Sequence, residues 1–443
     1  MNKYYLAIDI GASSGRHIIG YVKNNEIVLK EIYRFKTLME ESIDGLVWDY
    51  NRIFNEVKNG IKEAFKRYPK IVSLAIDAWG VDYVLLNDDK PIAPFYAYRN
   101  ERNILASEKV NKIIPFGELY KMTGVQFASY NTIYQLYSDK MLGRLQYATD
   151  YLMVPNYLVY LLTGVKTHEY TNESTTGLLN PLTGKYLSSL IYRLGLPDSL
   201  FNSKISFAGD YVGELLPEIQ KEVNGNCKVI LCASHDTACA FESIDIDDKS
   251  IFISSGTWSL LGVKSSKPII SEKSMEANYT NEGGVGYIRF LKNIPGMWIS
   301  NRLKRETKLT QEFIDQNIDK TSYMVSFDIN DNSLTAPKSM KKALLNLLEK
   351  CPPRSDLELF ASIYRSMAIS YKNAIESLEN ITHRKYKKIV IVGGGAKNIY
   401  LNRLVEEYTK KEVIPKPIEA TALGNIKIQM KANEDMTGGK KYE

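Results

Sequence analysis

The chain has 443 residues, enough for two or three domains of ordinary size. Its 57 Lys and Arg against 51 Asp and Glu leave a net charge of +6, too slight and too scattered a surplus for a nucleic-acid-binding protein. Hydrophobic residues make up 44%, so large cores can be buried, and no apolar run approaches the ~20 residues that span a bilayer.

The run Tyr4-Tyr-Leu-Ala-Ile-Asp-Ile10 reads as a strand, and Asp9 arrives too early for a signal-peptide core. It enters the turn Gly11-Ala-Ser-Ser-Gly-Arg16, followed by a second apolar run over 17–22. Glycines let backbone N–H groups converge on an anion, Ser13 and Ser14 add hydroxyls, and Arg16 can fork onto phosphate oxygens. Asp9 is a candidate ligand for magnesium, directly or through water. With no Gly-Lys-Ser/Thr and a strand instead of a helix behind it, the turn is neither a Walker loop nor a dinucleotide fingerprint. A tight turn with a structural aspartate fits the same residues.

A helix is expected over 55–68, with Val57, Ile61, Ala64, Phe65 and Tyr68 on one stripe, then a buried strand over 71–76. That strand leads into Asp77-Ala-Trp-Gly-Val-Asp-Tyr83. Trp79 could stack on a sugar and Gly80 admit it to the backbone; a core tryptophan beside a bulge glycine is the other reading. A strand over 227–232 precedes Ala233-Ser-His-Asp-Thr-Ala238. Asp236 there suits either a helix cap or a general base, and His235 either a donor to a polar ligand or a structural histidine. Cys227, Cys232, Cys239 and Cys351 form no C-x-x-C pair, so zinc is not expected, and the thiols read as reduced in a cytoplasmic protein.

Residues 250–254, Ser255-Gly-Thr257 and 258–263 repeat the strand–turn–strand pattern of the N-terminus. Two related domains would produce this echo, and so would two ordinary hairpins. Ser355 and Glu358 fit a capping box at the head of a helix running on through Leu378. The basic stretch 384–388 reads as a solvated loop, and 389–392 as a buried strand. Gly393-Gly-Gly-Ala-Lys-Asn398 then leads into a helix, a favourable place for nucleotide phosphates or a ribose and equally an ordinary strand–helix turn.

Taken in order, the stretches 8–16, 77–86, 96–99, 169–176, 234–237, 254–259, 280–284, 291–293 and 420–425 resemble the FGGY family of carbohydrate kinases. The resemblance runs from about Tyr4 to about Met430, and Asp-x-Trp-Gly-Val-Asp points to the rhamnulokinase group within the family. It implies an α/β protein of two actin-like (ribonuclease H-like) domains with an interdomain cleft. The sugar-binding domain would span 1–243 and the nucleotide-binding domain 244–443, joined near 243–249. Cleft closure would assemble the site and expel water. Asp236 matches the catalytic base, which would deprotonate the C1 hydroxyl of L-rhamnulose as it attacks the γ-phosphate of ATP, giving L-rhamnulose 1-phosphate and ADP. Gly80, His235 and Thr237 match sugar-contacting positions, with Trp79 and Tyr98 as walls. Ala12, Ser13, Ser14, Gly15 and Arg16 match one phosphate turn and Thr257 the other. Asn293, Asn301 and Gly394 match nucleotide-contacting positions, and Asp9 the aid to Mg2+.

Two departures stand out: Asn301 replaces the Gln of some relatives, and relatives usually continue beyond the polar stretch 431–443. The expected partners are a ketose and ATP, with no nucleic acid and no membrane; monomer and homodimer both stay open. The alternatives are a kinase of another ketose, such as L-fuculose or D-xylulose, and a non-catalytic actin-like sugar- or ATP-binding scaffold.

Overall fold

The computed structural model describes residues 3–438 except 246, 248, 336, 417 and 418. The chain divides into two compact units. One holds the residues up to Asp245, Ser265–Arg289 and the segment from Ala420 onward; the other holds the stretch ending at Lys264 together with Phe290–Glu419. The residues expected at the junction include 246 and 248, which lie outside the described residues.

The first unit is built on a six-stranded sheet. Its central strand Tyr4–Ile10 pairs antiparallel with Gly15–Lys23 and parallel with Ile71–Ala78. Glu26–Phe35 lies at one edge, with Lys228–Ile230 and Tyr211–Glu214 on the other side. The central strand reads as an unbroken apolar run because both its faces are covered. Leu6, Ile8 and Ile10 enter one core with Ile53, Val57 and Ile61 of the helix Tyr50–Arg67, while Tyr5 and Ala7 enter another with Ala422 and Ile426.

The helix Tyr50–Arg67 starts before the expected 55, since its buried stripe extends back through Ile53 to Tyr50. Asp49 caps it by accepting the N–H of Arg52 at 2.9 Å. Glycine is required at position 60, where an added Cβ would lie 2.2 Å from the ring of His17. That ring is fully buried, donates from Nε2 to the Val57 carbonyl at 3.0 Å, and has its pKa lowered to about 4 by burial.

The helix Ala420–Gly438 belongs to the same unit and takes up the first residues of the polar stretch 431–443; residues 439–443 lie outside the described residues. Its buried Asn425, Gln429 and Asn433, four residues apart, form a polar stripe facing the sheet. Gln429 donates to the Leu6 carbonyl at 3.0 Å and accepts from Ser73 at 2.7 Å.

The second unit repeats the central pattern. Ser250–Ser255 pairs antiparallel with Trp258–Ser265 and parallel with Lys388–Val392, which pairs parallel with Glu412–Lys416. The helix Asp356–Thr382 opens with Ser355 accepting the Glu358 N–H at 3.3 Å. The capping box does not close, because Glu358 accepts the N–H of Arg354 at 2.5 Å rather than that of Ser355. No helix among the described residues is long and apolar enough to cross a membrane.

Candidate active site

Register brings two carboxylates side by side in the first unit. Asp9 and Asp77 are partners on adjacent parallel strands, near the ends where both strands deliver their C-termini. After Asp9 the chain turns through 11–14, closed by the Gly11 N–H on the Ser14 carbonyl at 3.0 Å. Ala12 and Ser14 are half-buried, Ser13 is exposed, and Thr37 donates to the Gly11 carbonyl at 2.6 Å. Gly15 is fixed by contact: a Cβ there would sit 2.2 Å from the Phe35 ring. Arg16 folds back to bind Asp9 at 2.5 Å.

Asp77 is fully buried. Its Oδ2 accepts from Asn425 at 2.6 Å, while Oδ1 has no hydrogen-bond partner among the described residues. Burial first, and then the charge of Asp9, push its pKa well up; Asp236 adds to the rise, and the Asn425 bond and Arg16 oppose it. Three carboxylates thus share one region with Arg16, and among the described residues a buried oxygen of Asp77 there lacks a donor. A divalent cation suits that donor set, with Asp9 and Asp77 as the residues to hold it.

Asp236 is the first residue of the helix Asp236–Glu242, and His235 occupies the cap position. Asp236 therefore lies one residue inside the helix rather than at the cap, and the His235 side chain makes no cap bond. Its carboxylate keeps 31% exposure; Oδ1 accepts from Thr237 at 3.0 Å and stands 3.5 Å from His235 Nε2. The loop carrying these residues is tied to the strand Ile71–Ala78 through the Ala78 N–H on the Ser234 carbonyl at 2.9 Å. Glu169 anchors it from below. One oxygen of Glu169 accepts from the N–H and hydroxyl of Ser234 at 3.0 and 2.7 Å, and from the N–H and hydroxyl of Thr171 at 3.0 and 2.6 Å. Burial still raises the Glu169 pKa against those bonds.

Gly80 faces this loop: a Cβ would approach Thr175 Oγ1 to 3.2 Å and His235 Nε2 to 3.3 Å, closer than most real contacts. Val81 follows with φ +69°, a left-handed conformation that a β-branched residue rarely adopts. Its N–H donates to Thr175 Oγ1 at 3.3 Å, and its carbonyl accepts from Thr132 at 2.8 Å and Gln135 at 3.1 Å. Strain over-determined in this way marks functional turns. Trp79 lies in the core against Trp48, ring centroids 4.5 Å apart, so little of it is left to face a ligand. Both indoles donate to Asp82 Oδ2, at 2.7 and 2.9 Å, and Gln135 donates to Oδ1 at 3.1 Å. Burial outweighs those bonds and raises the Asp82 pKa to about 6. Tyr98 is half-buried edge-on to Tyr130; burial chiefly raises its pKa, and the charges of Asp82 and Asp236 both reach it.

The remaining expected positions belong to the second unit. Thr257 is exposed in the turn after Ser250–Ser255, where the Gly256 N–H binds the Trp258 carbonyl at 2.9 Å. A Cβ on Gly296 would lie 2.7 Å from the Gly256 carbonyl, which also accepts the Met297 N–H at 2.9 Å. Gly393, at φ +80°, and Gly395 press on Ser255, the latter so closely that a Cβ would lie 2.0 Å from its Oγ. Turn, helix start and glycine loop therefore meet, with Gly394 exposed beside them. Asn293 is half-buried on the strand Ile288–Pro295, and Asn301 is exposed on the helix Trp298–Thr307.

Asp77 also neighbours Cys232 and Cys239, their ligand atoms all within 4.8 Å of one another. Both thiols donate to carbonyls, of Ile76 at 3.2 Å and Ala233 at 3.0 Å, and burial pushes both pKa values up, that of Cys232 to about 11. They are structural thiols, and no disulfide joins the described cysteines.

Residues 4–241 match the FGGY family of carbohydrate kinases, N-terminal domain, and residues 251–433 its C-terminal domain. A rhamnulokinase of Oceanobacillus iheyensis is 40% identical over 441 residues, covering 98% of this chain and 94% of its own. One of Halalkalibacterium halodurans is 38% identical over 439 residues, covering 97% and 93%. Among solved structures, a ligand-bound xylulose kinase from Lactobacillus acidophilus superposes with a TM-score of 0.82 at 18% identity, covering 98% of this chain and 90% of that one.

Proposed function

The chain belongs to the FGGY family of carbohydrate kinases, and from that premise we propose that it phosphorylates L-rhamnulose at the C1 hydroxyl with ATP, giving L-rhamnulose 1-phosphate and ADP. The observation that carries the proposal is the state of Asp236: a part-exposed carboxylate one residue inside a helix start that lies near Asp9 and Asp77. With Oδ1 engaged by Thr237, Oδ2 would take the proton of the C1 hydroxyl as that oxygen attacks the γ-phosphorus. In a loose phosphoryl-transfer transition state the proton leaves late, so positioning and charge stabilisation provide most of the acceleration.

The first unit would bind the sugar between Gly80, His235 and Thr237, with Tyr98 as a wall and Trp79 acting mainly through its support of Asp82. Ala12, Ser13, Ser14, Gly15 and Arg16 would serve ATP phosphate from the first unit. Thr257, Asn293, Asn301 and Gly394 would serve the nucleotide from the second. Asp9, with Asp77 beside it, would hold Mg2+, which when bound neutralises phosphate charge.

The test is turnover with ATP and Mg2+ across L-rhamnulose, L-fuculose and D-xylulose. We expect kcat/KM for L-rhamnulose to lead by about tenfold or more. A lead by another ketose overturns the substrate, and ATP binding with no turnover of any sugar overturns the kinase reading.

A further inference from the structure

We infer that Arg289 and Glu282 form a buried positioning pair that holds His235 Nδ1 as an acceptor and its ring proton on Nε2, aimed at the sugar beside Gly80; this deepens the proposed function and rests on it. Arg289 has no exposed surface and Glu282 is 6% exposed. The guanidinium is held at three points: Nε donates to the Gly283 carbonyl at 2.7 Å, and Nη2 reaches both Glu282 Oε2 and His235 Nδ1 at 3.2 Å. The Gly283 N–H in turn donates to Ser174 Oγ at 2.7 Å, which fastens this segment to the stretch that supports the Asp236 loop.

Arginine offers only donors, so a nitrogen that receives its N–H must present a lone pair. His235 Nδ1 is that acceptor. Glu282 Oε2 stands farther from the same nitrogen, at 3.4 Å, and the guanidinium at 3.2 Å is the nearer partner of both. The ring proton therefore resides on Nε2, the nitrogen 3.3 Å from where a Gly80 Cβ would stand and 3.5 Å from Asp236 Oδ1. A ring so fixed donates to a ketose oxygen and cannot accept from a ketose hydroxyl. Glu282 neutralises the buried guanidinium, and without it Arg289 would be an uncompensated internal charge. None of this is visible locally, because Arg289 and His235 are separated by 54 residues in the chain.

Two measurements decide the matter. In the intact protein labelled with 15N-histidine, only four histidines contribute ring signals, and loss of one in His235→Asn assigns it. We expect the assigned ring to carry its proton on Nε2, and a proton on Nδ1 overturns the inference whether or not any variant folds. Kinetically, Glu282→Gln should raise KM for L-rhamnulose about tenfold and leave KM for ATP within about twofold. The same change made in His235→Asn should add nothing. An undiminished effect in that background would make Glu282 a general structural residue and overturn the positioning role. Wild-type protein inactive on L-rhamnulose would overturn the proposed function instead, and the tautomer would still be read.

Discussion

The turn after Tyr4–Ile10 and the turn after Ser250–Ser255 occupy matching places in their own sheets. Each joins antiparallel strands and has a parallel neighbour alongside. Their charges differ completely. Asp9 pairs with Asp77 in the first unit, whereas Ser254 pairs with Val392 at the corresponding register of the second. One backbone device thus carries a pair of carboxylates, with Asp236 as a third nearby. The other has hydroxyls and glycines, with Ser255 and Ser259 bound to Tyr371 beneath it. The backbone geometry is shared; the side chains at one register position are what differ.

The comparison breaks most visibly at that position. Asp9→Asn should lower kcat by about 10²–10³-fold, while Ser254→Ala should change it less than about threefold. Comparable losses in both would show that the two turns do equivalent work. The charged side of the contrast extends to Asp82, whose folded pKa of about 6 exceeds the ordinary aspartate value. A raised carboxyl pKa stabilises the fold in acid, and that stability is lost as pH rises from about 4 to 6. Relative to Asp82→Asn, the wild-type unfolding free energy should therefore fall by about 3 kcal/mol across that window in urea titrations, and stay level above it. Parallel pH profiles for the two proteins would contradict this. Within the first turn, Gly15→Ala meets the Phe35 ring and should cost about 1–3 kcal/mol. Gly11→Ala, whose nearest contact is 3.4 Å away, should leave the melting temperature almost unchanged.

The turns, the strands around them and the helix start at Asp236 were legible because each is written in a short window of apolar period and small residues. The helix Tyr50–Arg67 was legible except for its first turn, where Tyr50 and Ile53 extend the stripe seen from Val57 onward. What supports the site was not legible, because its partners are far apart in sequence. Glu169 reaches Ser234 across 65 residues and Asn425 reaches Asp77 across 348. The return of Ser265–Arg289 and of the segment from Ala420 to the first unit is equally non-local. Val81 gave no signal at all, since nothing in a β-branched residue announces a positive φ. Asp77 stood inside a motif already singled out, and its place on a strand flanked by apolar residues was the cue to a buried charge. Trp79 carried two readings, and its place against Trp48 gives it mainly to the core.

Asp236→Asn tests the account most directly, with sugar binding, ATP binding and single-turnover phosphoryl transfer measured on the same preparation. Both ligands should bind within about threefold of wild type while transfer slows by about 10²–10⁴-fold. Transfer at close to the wild-type rate would remove Asp236 from the chemistry and contradict the mechanism proposed for this site.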